Sequence, residues 1–375
     1  MKICYVSNNF EIHDYRFLKK LVDNNYEVHA VSLRKDKIDR KYRISGIYYY
    51  EFCNHRKIYQ KRFHGFNPFW FFSAIKFVKK IILESKPEIL HGGYVTISGF
   101  ICALADFHPF LLMPWGSDIL INTPINFVKR KIVSYTINKA DMITCDAESV
   151  KDEILKRNIY DAKKIEVFPW GIDLRIFNPD NNNYPKELIV WKNQIVVVCT
   201  RQHKKIYGIE YLIDAIPAAV EENKNLRFLF IGTGPLTDFY LNKIRRLNIA
   251  DYVKFIGRMD NSILPLYLNN SDIYISLSLS DGSSLCLMEA IACGLPVIVT
   301  EIKANKEWIT HNVNGKLIPV KSTADIVDTI LELADDKKLC LSMKERNLQI
   351  ASNRTDWDKN FSKLEIIYKH LRAVF

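Results

Sequence analysis

Residues 277–300 read LSLSDGSSLCLMEAIACGLPVIVT and join two kinds of pattern through one tight turn. The β-branched apolar run Asp272–Leu277 predicts a buried strand, and the apolar spacing of Leu285–Cys293 predicts a helix. Gly294 stands where a glycine commonly ends a helix, and Pro296 stops its continuation. The Asp, Gly and Ser residues in between predict a turn at the carboxyl end of the strand. This strand-turn-helix unit is typical of an α/β fold.

The same alternation of strand and helix patterns runs along the chain. Strands are predicted at Ile3–Val6, Glu27–Val31, Ile89–His91, Phe110–Met113, Met142–Cys145, Ile165–Phe168, Ile195–Cys199, Arg227–Ile231, Val253–Ile256, Asp272–Leu277 and Pro296–Val299. Such alternation favours parallel sheets with helices on both faces. The segment FNPDNNNYPKE at 177–187 interrupts it without apolar periodicity. We therefore predict two doubly wound domains facing a cleft, 1–180 and 181–350, and a C-terminal helix in 351–375 that packs back on the first domain.

Length, charge and cysteine usage exclude several classes of protein. A chain of 375 residues is too long for one comfortable core, and its net charge of +11 predicts an acidic partner. That partner is a phosphate-bearing ligand, an anionic lipid or nucleic acid, and charge alone does not choose among them. The eight cysteines are scattered singly, which favours reduced thiols over disulfides or zinc. The N-terminal MKICYVSNNF reads as a strand rather than a signal peptide, and no apolar run offers an uninterrupted spanning helix.

The turn at 281–285 has the chemistry of an anion site. The first helical turn leaves free backbone N–H groups near Ser283, Ser284 and Leu285, and the positive end of the helix dipole favours a phosphate there. Glu289 lies one turn later on the same face and leans toward the helix start, where it suits sugar hydroxyls better than phosphate. The alternative is that Asp281 is only a turn residue and Glu289 an exposed helical charge.

Nearly the whole chain resembles the retaining nucleotide-sugar glycosyltransferases of family 4, which have the GT-B fold. The likeness is carried, in order, by KPEILHGGY, LLMPWGSDIL, VFPWGIDLRIFNP, LRFLFIGTGPL, DYVKFIGRMDNSILPLYLNNSDIYIS, SLSLSDGSSLCLMEAIACGLPVIVT and KANKEWITHNVNGKLIPV. In this family two acidic residues separated by seven others flank the sugar donor. The resemblance implies transfer of a sugar from a nucleoside diphosphate to an acceptor hydroxyl, with no metal at the reaction centre.

The resemblance also assigns roles to single residues of the second domain. Glu289 matches the acid that holds the donor ribose, and Asp281 matches the acid that contacts the transferred sugar. Aspartate replaces the commoner glutamate at 281, and Ser284 stands where the family often has glycine. Gly232, a candidate donor-binding residue, allows close backbone approach at a strand end. Arg258 matches a position that lines the nucleobase pocket. Each alone would be only a turn glycine and a surface arginine.

A basic segment after strand Ile195–Cys199 resembles the part of the family that neutralises the donor pyrophosphate. In TRQHKKIYGIEYLIDA, at 200–215, Arg201 fits that role well. The family usually has a lysine directly before the glycine, and here that position is Tyr207. Lys205 or Lys204 is the substitute cation, and a leaving diphosphate needs one when no metal serves. The alternative for Lys204 is a solvated basic turn.

The first domain departs further from the family. The loop after its first strand, SNNFEIHDYRFLKKL, lacks the expected glycines, so His13 becomes a candidate cleft contact, with a structural histidine as the alternative. Asp118, in PWGSD, is a candidate for orienting or deprotonating the acceptor; an N-cap or Asx turn is the competing role.

The basic and aromatic stretch at 55–87, HRKIYQKRFHGFNPFWFFSAIKFVKKIILESKP, supports two interpretations. Its aromatic residues and lysines suit contact with an anionic membrane. A helix with a buried stripe of Phe72, Ile75, Val78 and Ile82 is the favoured alternative, and the loop from Lys57 to Trp70 stays open.

We predict a retaining GT-B glycosyltransferase that moves a hexose-type sugar from a UDP-, GDP- or similar donor to a lipid-linked or polysaccharide glycan precursor. It would use no further cofactor, bind no nucleic acid and work in the cytoplasm, at the inner face of the cell membrane. The alternatives are a non-catalytic nucleotide-sugar-binding subunit, a nucleic-acid binder and a sugar-nucleotide epimerase.

Overall fold

A computed structural model describes residues 1–8, 10, 12–33, 38–52, 68–120, 127–157, 159–180, 191 and 193–375. The chain forms two compact units, one of Met1–Phe168 with Phe361–Phe375 and one of Pro169–Asn360. Residues 169–180 therefore group with the second unit rather than with the first, and the C-terminal segment of the first unit begins at 361 rather than at 351. Most of the predicted boundary at 177–187 lies outside the described residues.

The first unit is built on a parallel sheet of seven strands in the order β3-β2-β1-β4-β5-β6-β7. Its strands are β1 (Lys2–Ser7), β2 (Glu27–Ser32), β3 (Ile47–Glu51), β4 (Ile89–Gly93), β5 (Phe110–Met113), β6 (Met142–Cys145) and β7 (Ile165–Val167). Its helices are α1 (Ile12–Asp23), α2 (Pro68–Ser85), α3 (Phe100–Ala105), α4 (Ser117–Leu120), α5 (Phe127–Lys139) and α6 (Glu148–Leu155), joined by most of the C-terminal helix α14 (Trp357–Val374). Strands buried on both faces explain the continuous apolar runs of the sequence.

The second unit repeats this architecture with six parallel strands in the order β10-β9-β8-β11-β12-β13. They are β8 (Ile195–Cys199), β9 (Leu226–Ile231), β10 (Val253–Gly257), β11 (Ile273–Ser276), β12 (Val297–Thr300) and β13 (Lys316–Ile318). The helices are α7 (Ile209–Glu222), α8 (Thr237–Arg246), α9 (Leu264–Asn269), α10 (Leu285–Ala292), α11 (Lys303–Lys306), α12 (Thr323–Asp335) and α13 (Lys337–Arg354). Alternate residues of β8 enter opposite apolar layers: Val197 lies in one and Val198 in the other.

The predicted stripe on α2 is wrong at one position. Val78 and Ile82 are buried and Ile75 is partly buried, but Phe72 is 66% exposed, and Ala74 and Ile81 complete the buried face. Within the described part of the chain, no helix combines the length and the apolar character needed to cross a membrane.

Candidate active site

Two loops of the second unit lie side by side because the strands that precede them are neighbours. Strand β8 pairs with β11, and both run in the same direction. Loop 200–208 follows β8 and loop 277–284 follows β11, so both start at the same edge of the sheet. The carboxyl ends of parallel strands are where open α/β sheets bind ligands. The candidate site is therefore the edge that carries these two loops.

Two serines lie at the start of α10, and one of them caps the helix. Ser284 is the N-cap residue, and its Oγ accepts from Leu287 N at 3.4 Å. Ser283 Oγ accepts from Trp308 Nε1 at 2.9 Å, and both serines are 6% exposed. Leu285 opens the helix. Capping fixes the first turn, whose N–H groups and dipole favour an anion.

Arg201 joins the two loops. Its Nη1 donates to Ser284 Oγ at 2.5 Å, and its Nη2 donates to Asp281 Oδ2 at 2.6 Å. The guanidinium carbon lies 3.9 Å from the ring centroid of Tyr207. Burial alone would lower the pKa of Arg201, yet the adjacent Asp281 carboxylate holds it above its ordinary value. Arg201 is therefore a permanent cation that is 6% exposed.

Asp281 is more than a turn residue, and Glu289 is not an exposed helical charge. Asp281 accepts from Gly282 N at 3.1 Å, as a turn residue would, and it also pairs with Arg201 while staying 19% exposed. Only 6% of Glu289 is exposed. Burial, and next the charge of Glu289, raise the pKa of the Cys286 thiol to about 11, so this neighbour stays protonated at neutral pH.

The glycine loop after β9 packs closely on the loop after β8. Gly232 has φ +146°, and a Cβ there would lie 2.6 Å from the Arg201 carbonyl oxygen. A Cβ on Gly234 would lie 2.5 Å from the His203 carbonyl oxygen. Only glycines permit this approach, so Gly232 helps to place Arg201 rather than merely forming a turn.

The remaining predicted cations are at the surface. Lys204 and Lys205 are exposed in the turn that ends at Tyr207, and Arg258 is exposed directly after β10. The structure therefore brings Arg201, Asp281, Ser283, Ser284 and Leu285 together. The roles of the lysines and of Arg258 stay predictions.

Sequence reasoning missed three side chains that shape this edge. Trp308 reaches Ser283, Tyr207 lies under Arg201, and His203 is fully buried with Nδ1 2.8 Å from Thr237 Oγ1. Tyr207 carried a signal, since it replaced an expected lysine. Trp308 and His203 carried none, because their partners are 25 and 34 residues away in the chain.

Asp118, in the first unit, is committed to the backbone. Its Oδ2 accepts from Val95 N at 2.8 Å and its Oδ1 accepts from Trp115 N at 3.0 Å. The side chain is fully buried, and burial raises its pKa to about 6 against the opposing effect of these amides. This geometry favours a structural role over a direct role at the acceptor, although Asp118 lies inside α4 and the amides of Val95 and Trp115 precede it in the chain.

His13 lies in the first turn of α1, partly buried, with its ring centroid 5.5 Å from that of Trp115. Burial and the positive charge of Arg16 lower its pKa to about 4, so the imidazole is neutral at physiological pH. Ring packing of this kind suits the structural alternative, and a cleft contact stays a prediction.

Two further observations concern metals and thiols. No cluster of three or more His, Cys, Asp or Glu side chains suited to a metal ion occurs in the residues that the structure describes. The seven cysteines of that part of the chain are all free thiols.

Comparison with known proteins covers both units. Residues 180–349 match the family described as Glycosyl transferases group 1, and residues 2–147 match the family Glycosyl transferase 4-like. N-acetyl-alpha-D-glucosaminyl L-malate synthase of Bacillus anthracis is 28% identical over 68% of this chain and 64% of its own length. A UDP-Gal:alpha-D-GlcNAc-diphosphoundecaprenol alpha-1,3-galactosyltransferase of Escherichia coli is 24% identical over 76% of this chain and 73% of its own. The match thus spans just under two thirds of the Bacillus relative.

Solved structures agree on the fold. The Anabaena protein HepE in complex with UDP superposes with a TM-score of 0.81 at 16% identity, covering 99% of this chain and 100% of that one. Sucrose-phosphate synthase from Thermosynechococcus elongatus gives 0.79 at 15% identity over the full length of both chains. The solved structures and the two parallel-sheet units show the GT-B fold. The two matched families, which between them cover residues of both units, show that the chain belongs to the family 4 type of glycosyltransferases.

Proposed function

We propose that this protein transfers a hexose-type sugar from a nucleoside diphosphate sugar to an acceptor hydroxyl, with retention of the anomeric configuration. The observation that carries the proposal is the joining of Arg201, Ser284 and Asp281 at the N-terminus of α10. A buried cation beside a capped helix start is suited to a diphosphate. A carboxylate in the same cluster is suited to sugar hydroxyls.

The chemistry follows from that arrangement. As the bond between the anomeric carbon and the diphosphate oxygen breaks, negative charge grows on the diphosphate, and Arg201 and the helix N-terminus stabilise it. The acceptor oxygen forms the new bond on the same face of the sugar, and its proton passes to the leaving phosphate oxygen. In this scheme Glu289 holds the ribose and Asp281 holds the moving sugar. No general base and no metal ion is required.

The names of relatives and neighbours guide the choice of substrates. HepE has been solved in complex with UDP-glucose, and the E. coli relative is named for a UDP-galactose donor and a diphosphoundecaprenol-linked acceptor. A relative in Schizosaccharomyces pombe is named as a phosphatidylinositol N-acetylglucosaminyltransferase subunit. These names support UDP-sugars as the first donors to test, and a lipid-linked precursor of a cell-envelope polysaccharide as the acceptor.

Contact with an anionic membrane belongs to the same proposal. Phe69 and Phe72, at the start of α2, are 83% and 66% exposed, and Phe127, at the start of α5, is 68% exposed. Both helices pack beside α3, since the ring of Phe100 makes edge-to-face contacts with the rings of Phe71 and Tyr135. Exposed basic side chains accompany them: Lys76, Lys79, Lys80, Lys129, Arg130 and Lys131. Apolar rings with lysines suit an anionic headgroup layer at the cytoplasmic face.

Vesicle binding tests this membrane surface. We expect co-sedimentation with phosphatidylglycerol vesicles and little with phosphatidylcholine vesicles, and we expect F69S/F127S to lose it. Phe239 on α8, an exposed phenylalanine of the second unit, offers the control variant F239S. If the wild type, F69S/F127S and F239S bind phosphatidylglycerol vesicles equally, α2 and α5 do not form the membrane surface.

Donor binding and transfer test the proposed function itself. We expect UDP, GDP or ADP, with the corresponding sugars, to raise the melting temperature, because a ligand that binds only the folded state stabilises it. E289Q should lose most of that shift. Sugar transfer to a panel of lipid-linked acceptors then separates an enzyme from a non-catalytic binder. Absence of stabilisation by every nucleotide would reject the donor site.

A further inference from the structure

Two departures from the family pattern meet on one side chain. The sequence has Tyr207 where the family usually has a lysine, and Asp281 where the family more often has a glutamate. In the structure both contact Arg201: the Tyr207 ring lies 3.9 Å from its guanidinium carbon, and Asp281 Oδ2 lies 2.6 Å from its Nη2. Ser284 completes the set, which we call the Arg201 clamp (Tyr207, Asp281 and Ser284).

The backbone holds Tyr207 in place. The residues Lys205–Tyr207 form a single 3₁₀ turn, and Leu279 N donates to Ile206 O at 2.8 Å, which ties this turn to the loop after β11. Gly208 follows with φ +62°, and a Cβ there would lie 2.2 Å from the Leu277 carbonyl oxygen. Only glycine fits so close to that strand end. The ring of Tyr207 is therefore fixed before any ligand arrives.

We propose that Tyr207 is a positioning residue, whose ring holds the Arg201 guanidinium in one orientation within the diphosphate subsite. Tyr207 thereby occupies the position at which the family usually has a second cation, a lysine. An aromatic face attracts a guanidinium, and it shields the buried charge from water. A guanidinium that is already oriented does not have to reorganise when negative charge develops on the leaving diphosphate, so it stabilises that charge more effectively. This inference rests on the proposed function, because it names how the same site handles its diphosphate.

A ligand-free experiment tests the contact by itself. Urea unfolding would compare the wild type with Y207L, R201M and the double variant Y207L/R201M, because such a cycle isolates the interaction between the two side chains. We expect Y207L to lower the unfolding midpoint by less in the R201M background than in the wild type. Equal decreases in both backgrounds would overturn the clamp, whatever the protein binds.

A diphosphate titration tests the consequence. UDP and GDP would be titrated into the wild type, Y207F and Y207L. We expect Y207F, which keeps the ring, to bind within about twofold of the wild type, and Y207L to bind about tenfold more weakly, as loss of a desolvated cation–π contact implies. In the R201M background the Tyr207 substitution should have no further effect. A deficit in Y207F equal to that in Y207L would assign the effect to the hydroxyl and overturn the proposal.

The chain offers a matched control. Arg227 lies over the ring of Tyr252 at 5.0 Å, at the opposite edge of the same sheet. Y252L removes a ring of the same chemistry and should leave diphosphate affinity unchanged; an equal loss in Y252L would contradict a local role for Tyr207. If neither diphosphate binds the wild type, the proposed function fails, while the unfolding cycle still decides the clamp.

Discussion

Asp118 and Asp281 occupy comparable places in the two units, each in the region where a buried strand gives way to a helix. Asp118 comes after β5, is fully buried, and accepts from the backbone amides of Val95 and Trp115. Asp281 comes after β11, is 19% exposed, and pairs with Arg201. The two carboxylates therefore share a position in the fold and differ in partner.

The difference shows that a position after a strand does not by itself decide the role of a carboxylate. The edge of a parallel sheet brings loops together, but a carboxylate whose oxygens are taken by amides organises its own loops. A carboxylate paired with a cation beside a helix N-terminus keeps a polar, partly open surface for a ligand. The partner thus decides whether the residue stabilises the fold or serves the chemistry.

Asp281→Asn should give the largest effect, and it should fall on transfer. The amide keeps an acceptor for Arg201 but removes the charge that fixes the guanidinium and holds a sugar hydroxyl. We expect initial transfer rates to fall about 100- to 1,000-fold, the range seen when one group that stabilises a transition state is lost. The free energy of unfolding should also fall, because the guanidinium that is only 6% exposed loses its carboxylate, although the amide still accepts its hydrogen bond. A stable variant with undiminished transfer would contradict the comparison.

Asp118→Ala should instead act on stability. The variant leaves the buried amides of Val95 and Trp115 without their carboxylate, and unpaired buried donors cost about 3 kcal/mol together. Urea denaturation at pH 7 measures this loss, and nucleoside diphosphate affinity of the folded variant should match the wild type. A stable Asp118→Ala protein that has lost transfer would return Asp118 to the acceptor role.

The sheets were predictable because their strands are continuous apolar runs. Phe110–Met113, Met142–Cys145 and Ile195–Cys199 are predicted and observed with the same bounds. Strand β3 (Ile47–Glu51) was missed since Tyr48 is exposed, Tyr49 and Tyr50 are only partly buried, and the sequence of the strand shows no apolar alternation. Strand β13 (Lys316–Ile318) was missed because three residues that include a lysine carry little signal.

The site was predictable only where one short segment supplies its parts. The run from Asp281 to Glu289 contains the turn, the cap and both acids, so local chemistry and the family resemblance identify them together. The contacts of Arg201 with Asp281 and of Trp308 with Ser283 join residues 80 and 25 positions apart. No local pattern encodes such pairs, because they arise from the order of strands in the sheet.

The pH dependence of stability sharpens the account of Asp118. Its pKa rises from an ordinary 3.8 to about 6 on folding, so the folded state binds the proton more tightly than the unfolded state. Protonation of Asp118 therefore stabilises the folded state. This stabilisation is complete below pH 3.8 and is lost as the pH rises through 6, so the free energy of unfolding falls by about 2 kcal/mol between pH 4 and pH 6. D118N carries no titrating group there. We expect the free energy of unfolding of the wild type, relative to that of D118N, to fall between pH 4 and pH 6. If the two proteins show the same pH dependence of unfolding free energy, the prediction is contradicted.

Trp308→Phe should have the smallest effect of these substitutions, and it concerns the diphosphate site near Asp281. The indole donates to Ser283 Oγ at 2.9 Å and lies under Arg354, whose guanidinium carbon is 4.3 Å from the ring centroid. Phenylalanine keeps a ring for Arg354 and removes only the N–H donor, so the free energy of unfolding should fall by about 1 kcal/mol, the worth of one neutral hydrogen bond. Because Ser283 then loses the contact that orients it at the start of α10, the diphosphate that stabilises the wild type should bind at most about fivefold more weakly, the equivalent of that same bond.

Calorimetric titration measures that affinity, and Trp170→Phe is the control, since Trp170 lies in the same unit and, like Trp308, is only 4% exposed. We expect the control to bind like the wild type. If both variants lose affinity equally, the indole acts through general packing. If only W308F does, the hydrogen bond orients Ser283 at the start of α10, and the anion site then depends on α11 and its flanking loop as well as on the turn itself.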